Sequence, residues 1–222
     1  MLTTLQRCVV LLTGLLILKV TAAVILGYRD YFPPDFQSDF LRGRECYFFQ
    51  GYCVAFYVHL AAGPVSLVLG LVLVSRWLLR RFPTWHRWIG RVQAINVLLF
   101  LLPSGSWMGL YASAGPVATL SFSVLSVLTA FCVVIGWRHA VQRRFALHQL
   151  WMGRCFLLLC AAVVIRIIGG AATELGVDAP WFNPVAAWAS WLVPLSVFEL
   201  IRVCSRGRWL QFRPPTAGLS TR

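Results

Sequence analysis

Charge is scarce in this chain. Only 12% of its 222 residues are Asp, Glu, Lys or Arg, where soluble domains carry about 25%. Acids are scarcer still, 7 against 20 basic residues. With 59% hydrophobic residues and a mean hydropathy of +0.74, the composition excludes an ordinary soluble domain. The net charge of +13 does not indicate nucleic acid as a partner, because the arginines cluster in short segments between apolar runs. That pattern belongs to membrane topology. Paired cysteines are missing too. Cys8, Cys46, Cys53, Cys132, Cys155, Cys160 and Cys204 are scattered with no C-x-x-C spacing, which supports neither a disulfide framework nor a zinc site. No H-E-x-x-H, G-x-S-x-G or aspartate-rich motif occurs, so no hydrolytic or metal-dependent chemistry is specified.

What the chain has instead is long apolar runs. A spanning helix needs about 20 such residues, and six runs meet that length: roughly 8–27, 51–75, 89–111, 117–137, 150–171 and 185–204. The expected fold is an all-α integral membrane bundle of six transmembrane helices. Loop charge orients it. Arg7, Arg76, Arg80, Arg81, Arg87, Arg91, Arg138, Arg143, Arg144, Arg154, Arg202, Arg206, Arg208, Arg213 and Arg222 fall on one side. The other side has only Arg29, Arg42 and Arg44, and it holds Asp30, Asp35, Asp39, Glu45, Glu174 and Asp178. Lysine and arginine bias toward the cytoplasm makes both termini cytoplasmic.

One transmembrane domain over 1–205 is expected, with an extracytoplasmic cap loop at 28–50 and a basic, disordered tail at 206–222. In the cap, Pro33-Pro34 forbids a continuous helix, and Tyr28, Tyr31, Phe32, Tyr47, Phe48 and Phe49 are expected at headgroup level. Arg7 followed by VVLLTGLLIL has the layout of a signal peptide, but the apolar run continues to Leu26, which favours a retained helix.

A twelve-residue device occurs twice, as RRFPTWHRWIGR from Arg80 and RRFALHQLWMGR from Arg143. Arginine anchors, interfacial tryptophans and a packing glycine explain most of its letters. The competing reading makes His86 and His148 facing ligands or proton carriers. They are the seventh and sixth residues of their copies, an offset of about 100° on a helix.

Ionisable residues inside the spans are functional candidates by default. On the arginine-rich half the only acid is Glu199, so a buried ion-pair group of Glu199 with Arg154, Arg91 or Arg202 is expected. In the outer half, Lys19, His59 and Arg166 lie within about 10 Å of the midplane with no acid in their layer. His148 and Arg166 are five whole turns apart on a straight helix, about 27 Å. His59 shares its face with Gly63, Ser66 and Gly70, a small-residue seam for close helix approach. Either the outer cations snorkel to Glu174, Asp178 or Asp30 while His59 makes an interhelical hydrogen bond, or the three form a pocket for an anion or polar head.

The motifs YFPPDF, FLRGRE, HLAAGPVSLVLG, WHRWIGRVQ, HQLWMGRCF, VIRIIGG and WLVPLSVFELIR, in this order from Asp30 to Arg202, resemble the bacterial membrane family called domain of unknown function 2306. The resemblance implies a multi-pass protein of the bacterial inner membrane and assigns no activity. By position it points to His59, His86, Arg91, His148, Arg154, Arg166 and Glu199. Four function classes remain. A small transporter or sensor would bind an anionic or polar small molecule in the outer pocket, with Pro103-Ser-Gly-Ser loosening the third helix beside it. A haem- or quinone-binding redox protein would need axial histidines on facing helices, and His59 has no histidine at its depth. A membrane enzyme acting on a lipid is the third, with no motif to specify its chemistry, and a non-catalytic membrane scaffold or assembly factor is the fourth.

Overall fold

The computed structural model describes residues 4–38, 40–177 and 179–211. Asp39, Asp178 and the tail from 212 lie outside the described residues, as do the side chains of Arg7, Arg206 and Arg208. The chain is an all-helical bundle with six helices long and apolar enough to cross a membrane: Cys8–Asp30, Glu45–Leu73, Pro83–Leu110, Pro116–Val141, Phe145–Glu174 and Phe182–Cys204. Helices suit this solvent because each satisfies its own backbone polar groups. The sixth helix continues to Gln211, past the expected end of the transmembrane domain at 205. Both faces of the bundle have a distinct character, an aromatic cap on one and the arginine-bearing loops on the other.

The core forms around the third to sixth spans, where Val97, Leu101, Cys132, Val133, Cys155, Leu158 and Trp191 are buried together. The Trp191 indole N–H donates to Ser121 Oγ across this core (3.0 Å), so its polar atom is satisfied where it is dry. The first span stands apart. Only 11% of its apolar window is buried, against 39% for the fifth, and it leans on the second span, where Gly14 faces Leu71.

Two spans are irregular. In the third, a π-helical stretch Asn96–Leu101 precedes Pro103. Proline supplies no N–H and crowds the turn before it, and a widened turn relieves that crowding. Ser104 donates its hydroxyl to the Phe100 carbonyl (2.5 Å) and so satisfies one of the carbonyls in that turn. The helix is reshaped there and stays continuous. The fifth span is broken at Cys160 into Phe145–Leu159 and Ala161–Glu174. The Val163 and Val164 N–H groups both bond the Cys160 carbonyl (2.9 and 3.0 Å), a tight turn at the junction of the two segments. His148 meets the fourth span and Arg166 lines a groove with the first.

The cap is denser than expected. Leu41, Phe48, Tyr52 and Phe56 are buried in one cluster, with Tyr31 edge-on to Phe56 at 5.1 Å and Phe40 stacked on it at 5.5 Å. Phe48 thus turns inward, while Phe32 and Phe49 stay exposed. The reason is Arg44, only 6% exposed. Its guanidinium donates to the carbonyls of Phe40 (2.7 Å) and Tyr111 (2.8 Å) and to the Tyr47 hydroxyl (3.0 Å). It also lies over the Phe40 ring at 4.8 Å. A buried cation is tolerated when its donors are used and π-faces surround it.

Candidate functional site

The seam on the second span receives the third. Asn96 donates to Ser66 Oγ (2.8 Å) and to the Ala62 carbonyl (3.1 Å). Gln93, 2% exposed, donates to the Ser66 carbonyl (3.0 Å), and its own Oε1 is buried without a partner. His59 continues the line with Nδ1 3.3 Å from Ser104 Oγ. Since the Ser104 hydroxyl proton goes to Phe100, His59 Nδ1 is the donor in that contact. Gly105 makes the approach possible, because a Cβ there would stand 3.0 Å from the imidazole. Gly70 gives its space to Phe156 of the fifth span, whose ring would be 2.6 Å from a Cβ. Gln93 and Asn96 escaped the sequence reading. Their signal was there, two amides three residues apart in an otherwise apolar run.

The outer constellation divides. Lys19 and Arg166 line one groove of about 520 Å³ between the first and fifth spans, with Val20, Ala23, Ile167 and Gly170 among its walls. His59 is not in that lining. It stays within electrostatic reach of Arg166, as do the Tyr28 and Tyr31 phenols, and Tyr28 donates to the Leu60 carbonyl beside it (2.8 Å). Both Lys19 and Arg166 are exposed on the bundle surface. Arg166 does not reach outward. Its Nη1 donates to the Ala162 carbonyl (2.7 Å) on its own helix, one turn nearer the membrane centre. Asp30 pairs with Arg29 (3.6 Å), and among the described residues neither Lys19 nor Arg166 has a carboxylate partner.

On the arginine face, Glu199 takes Arg154 Nε on Oε1 (2.7 Å) and Arg202 on Oε2 (2.7 Å to Nη2). Arg91 is not in this group. Its guanidinium lies over the Trp88 ring at 5.3 Å, and Arg154 lies over Trp151 at 4.4 Å.

The repeated device shows an equivalence that letter counting hides. The helix within the first copy begins at Pro83, its fourth letter, and that within the second at Phe145, its third. Each histidine is therefore the fourth residue of its helix. Their backbone N–H groups make matching bonds, His86 to the Phe82 carbonyl (3.1 Å) and His148 to the Arg144 carbonyl (3.0 Å). The expected 100° offset disappears. The two side chains lie within electrostatic reach of each other, but their bonding differs. His148 Nδ1 meets the Gly136 carbonyl (2.9 Å), whereas His86 Nδ1 is buried without a partner.

A haem does not fit the residues of the outer half. His59 is packed against Gly105 and bonded through Nδ1 to Ser104, and no histidine lines the groove. Among the described residues no group of three or more His, Cys, Asp or Glu could hold a metal ion.

No curated protein and no solved structure matches this chain. A family model described as "Predicted membrane protein (DUF2306)" matches residues 56–202, about two-thirds of the chain. It takes in His59, the repeated device, Arg154, Arg166 and Glu199, and it begins after Lys19 and the cap motifs YFPPDF and FLRGRE. The chain belongs to this family of multi-pass membrane proteins.

Proposed function

We propose that the protein is a small carrier or sensor that binds an anionic ligand within the bilayer, between its first and fifth spans. One observation carries the reading: Lys19 and Arg166 line the same groove without a carboxylate partner among the described residues. A cation at membrane depth is costly unless it is paired or reaches water. Arg166 is turned toward the membrane centre by its bond to Ala162, so snorkelling does not relieve it. An anion in the groove would relieve both charges at once. The groove volume of about 520 Å³ lies within the usual range for small-molecule sites. His59 in this reading supports the site from behind, holding the second and third spans together through Ser104.

The arginine asymmetry of the loops supports a placement in the bacterial inner membrane with both termini cytoplasmic, which puts the groove between the bilayer midplane and the outer face. Thermal unfolding in an uncharged detergent tests the reading, with carboxylates, phosphates and sulfonates each paired with a neutral counterpart. A ligand at 100 times its Kd stabilises the folded state by about 2.7 kcal/mol. At least one anion should raise the melting temperature of the native protein and leave Arg166→Gln unmoved. Equal stabilisation of both proteins, or of neither by any anion, overturns the proposal.

A further inference from the structure

We infer that the ligand of this groove is a single-chain carboxylic acid that enters sideways from the outer leaflet, a deduction that rests on the proposed function above. Depth decides first. Lys19 is eleven residues from each end of the Cys8–Asp30 span, about 16 Å along the helix from either end. Arg166 is eight residues from Glu174, the cap end of its span, and is drawn one turn deeper by Ala162. Phospholipid phosphates lie outside the hydrocarbon, about 15 Å from its centre. A phosphate fixed to a two-chain glycerol backbone therefore stays at the surface while these cations are below it. A single-chain acid has no such anchor and can sink its carboxylate to their level.

Charge decides next. A neutral quinone head would leave both cations uncompensated, whereas a carboxylate carries the missing charge and offers one oxygen to each cation. The walls agree with a slender body. Val20, Ala23, Val24, Ile167, Gly170 and Ala171 are apolar and mostly small, and Gly170 has nothing within 4 Å of where a Cβ would stand. That open strip alongside Arg166 is room for one acyl chain. The first span forms one wall and is the least buried of the six, so a chain can enter from lipid without passing through the core.

The test uses the full-length protein in nanodiscs of zwitterionic lipid and three probes: dodecanoic acid, its methyl ester, and phosphatidylglycerol. The acid should bind saturably and the methyl ester should not. Arg166→Gln and Gly170→Leu should each weaken the acid at least tenfold while the unliganded melting temperature is unchanged. If Arg166→Gln does not fold, Lys19→Gln on the peripheral first span gives the same comparison. Phosphatidylglycerol bound in place of the acid, with the same dependence on Arg166, overturns the single-chain inference and keeps the anion site. Equal binding of acid and ester overturns the carboxylate assignment. Binding of every probe unaffected by Lys19 and Arg166 substitutions overturns both this inference and the function on which it rests.

Discussion

Replacing Glu199 by alanine removes the one carboxylate that Arg154 touches among the described residues. Stranding a fully buried charge costs about 3–5 kcal/mol, but this pair is not fully buried. The side chains of Arg154 and Glu199 keep 17% and 30% of their exposure, and Arg154 retains the Trp151 ring at 4.4 Å after the change. Charge-assisted hydrogen bonds contribute about 1.5–3 kcal/mol. The expected loss is therefore about 2–3 kcal/mol, or roughly 4–12 °C at 2–4 °C per kcal/mol for a chain of this size. Arg202→Ala breaks a contact between i and i+3 on one helix and should cost about 0.5 kcal/mol. The double replacement Arg154→Met with Glu199→Leu removes both charges and should recover most of the loss, since an apolar pair replaces a buried ionic one with little penalty. Unfolding followed by tryptophan fluorescence in an uncharged detergent measures all four proteins. An unchanged melting temperature for Glu199→Ala, or a double variant no more stable than the single one, would refute the assignment of Glu199 as the counter-charge of Arg154.

Gly70→Ala should destabilise by about 1–3 kcal/mol, because its Cβ would meet the stiff Phe156 ring at 2.6 Å; Phe156→Leu in the same protein should restore the melting temperature. Arg44→Leu should open the loop between the first two spans, residues 31–44, to limited proteolysis while the spans remain protected, since it removes the donors to Phe40, Tyr47 and Tyr111 that knit the cap. Asn96→Leu removes two hydrogen bonds to the second span and should cost about 1 kcal/mol, given an average near 0.6 for each such bond in a membrane. A reporter active only in the cytoplasm, fused after Arg213, should be active; the opposite result would invert the topology.

The spans were legible because a hydrophobic run of sufficient length in a membrane has one structural solution. Their ends moved where polar letters continued a helix, as at Pro83 to Arg87, which begins the third span before the expected start at about 89. The break at Cys160 left no mark. It sits in CAAVV, with no proline or glycine, so only packing against different neighbours could impose it. Pro103 did signal irregularity, and the outcome is a π-helical stretch just before it. The histidines of the repeat looked inequivalent because letters were counted from the arginines, while helix phase is counted from the first helical residue. At the groove, charge could be read from the sequence and azimuth could not. Lys19 and Arg166 share a groove, whereas His59 turns to Ser104. Nor could counting acids choose among Arg91, Arg154 and Arg202 as neighbours of Glu199.

The tight turn at Cys160 works as an elbow between two independently anchored arms. The arm Phe145–Leu159 is held by the Glu199 contact and by Gly136, and the arm Ala161–Glu174 carries Arg166 against the first span. A single residue inserted at the elbow would rotate the second arm by about 100°, swinging Arg166 out of the groove while Arg154 kept its place. The same insertion beside Phe145 would turn His148 and Arg154 together away from their partners. The Glu199 anchorage and the groove wall are thus separable along one span, and the dividing point is a cysteine with nothing in its letters to announce it.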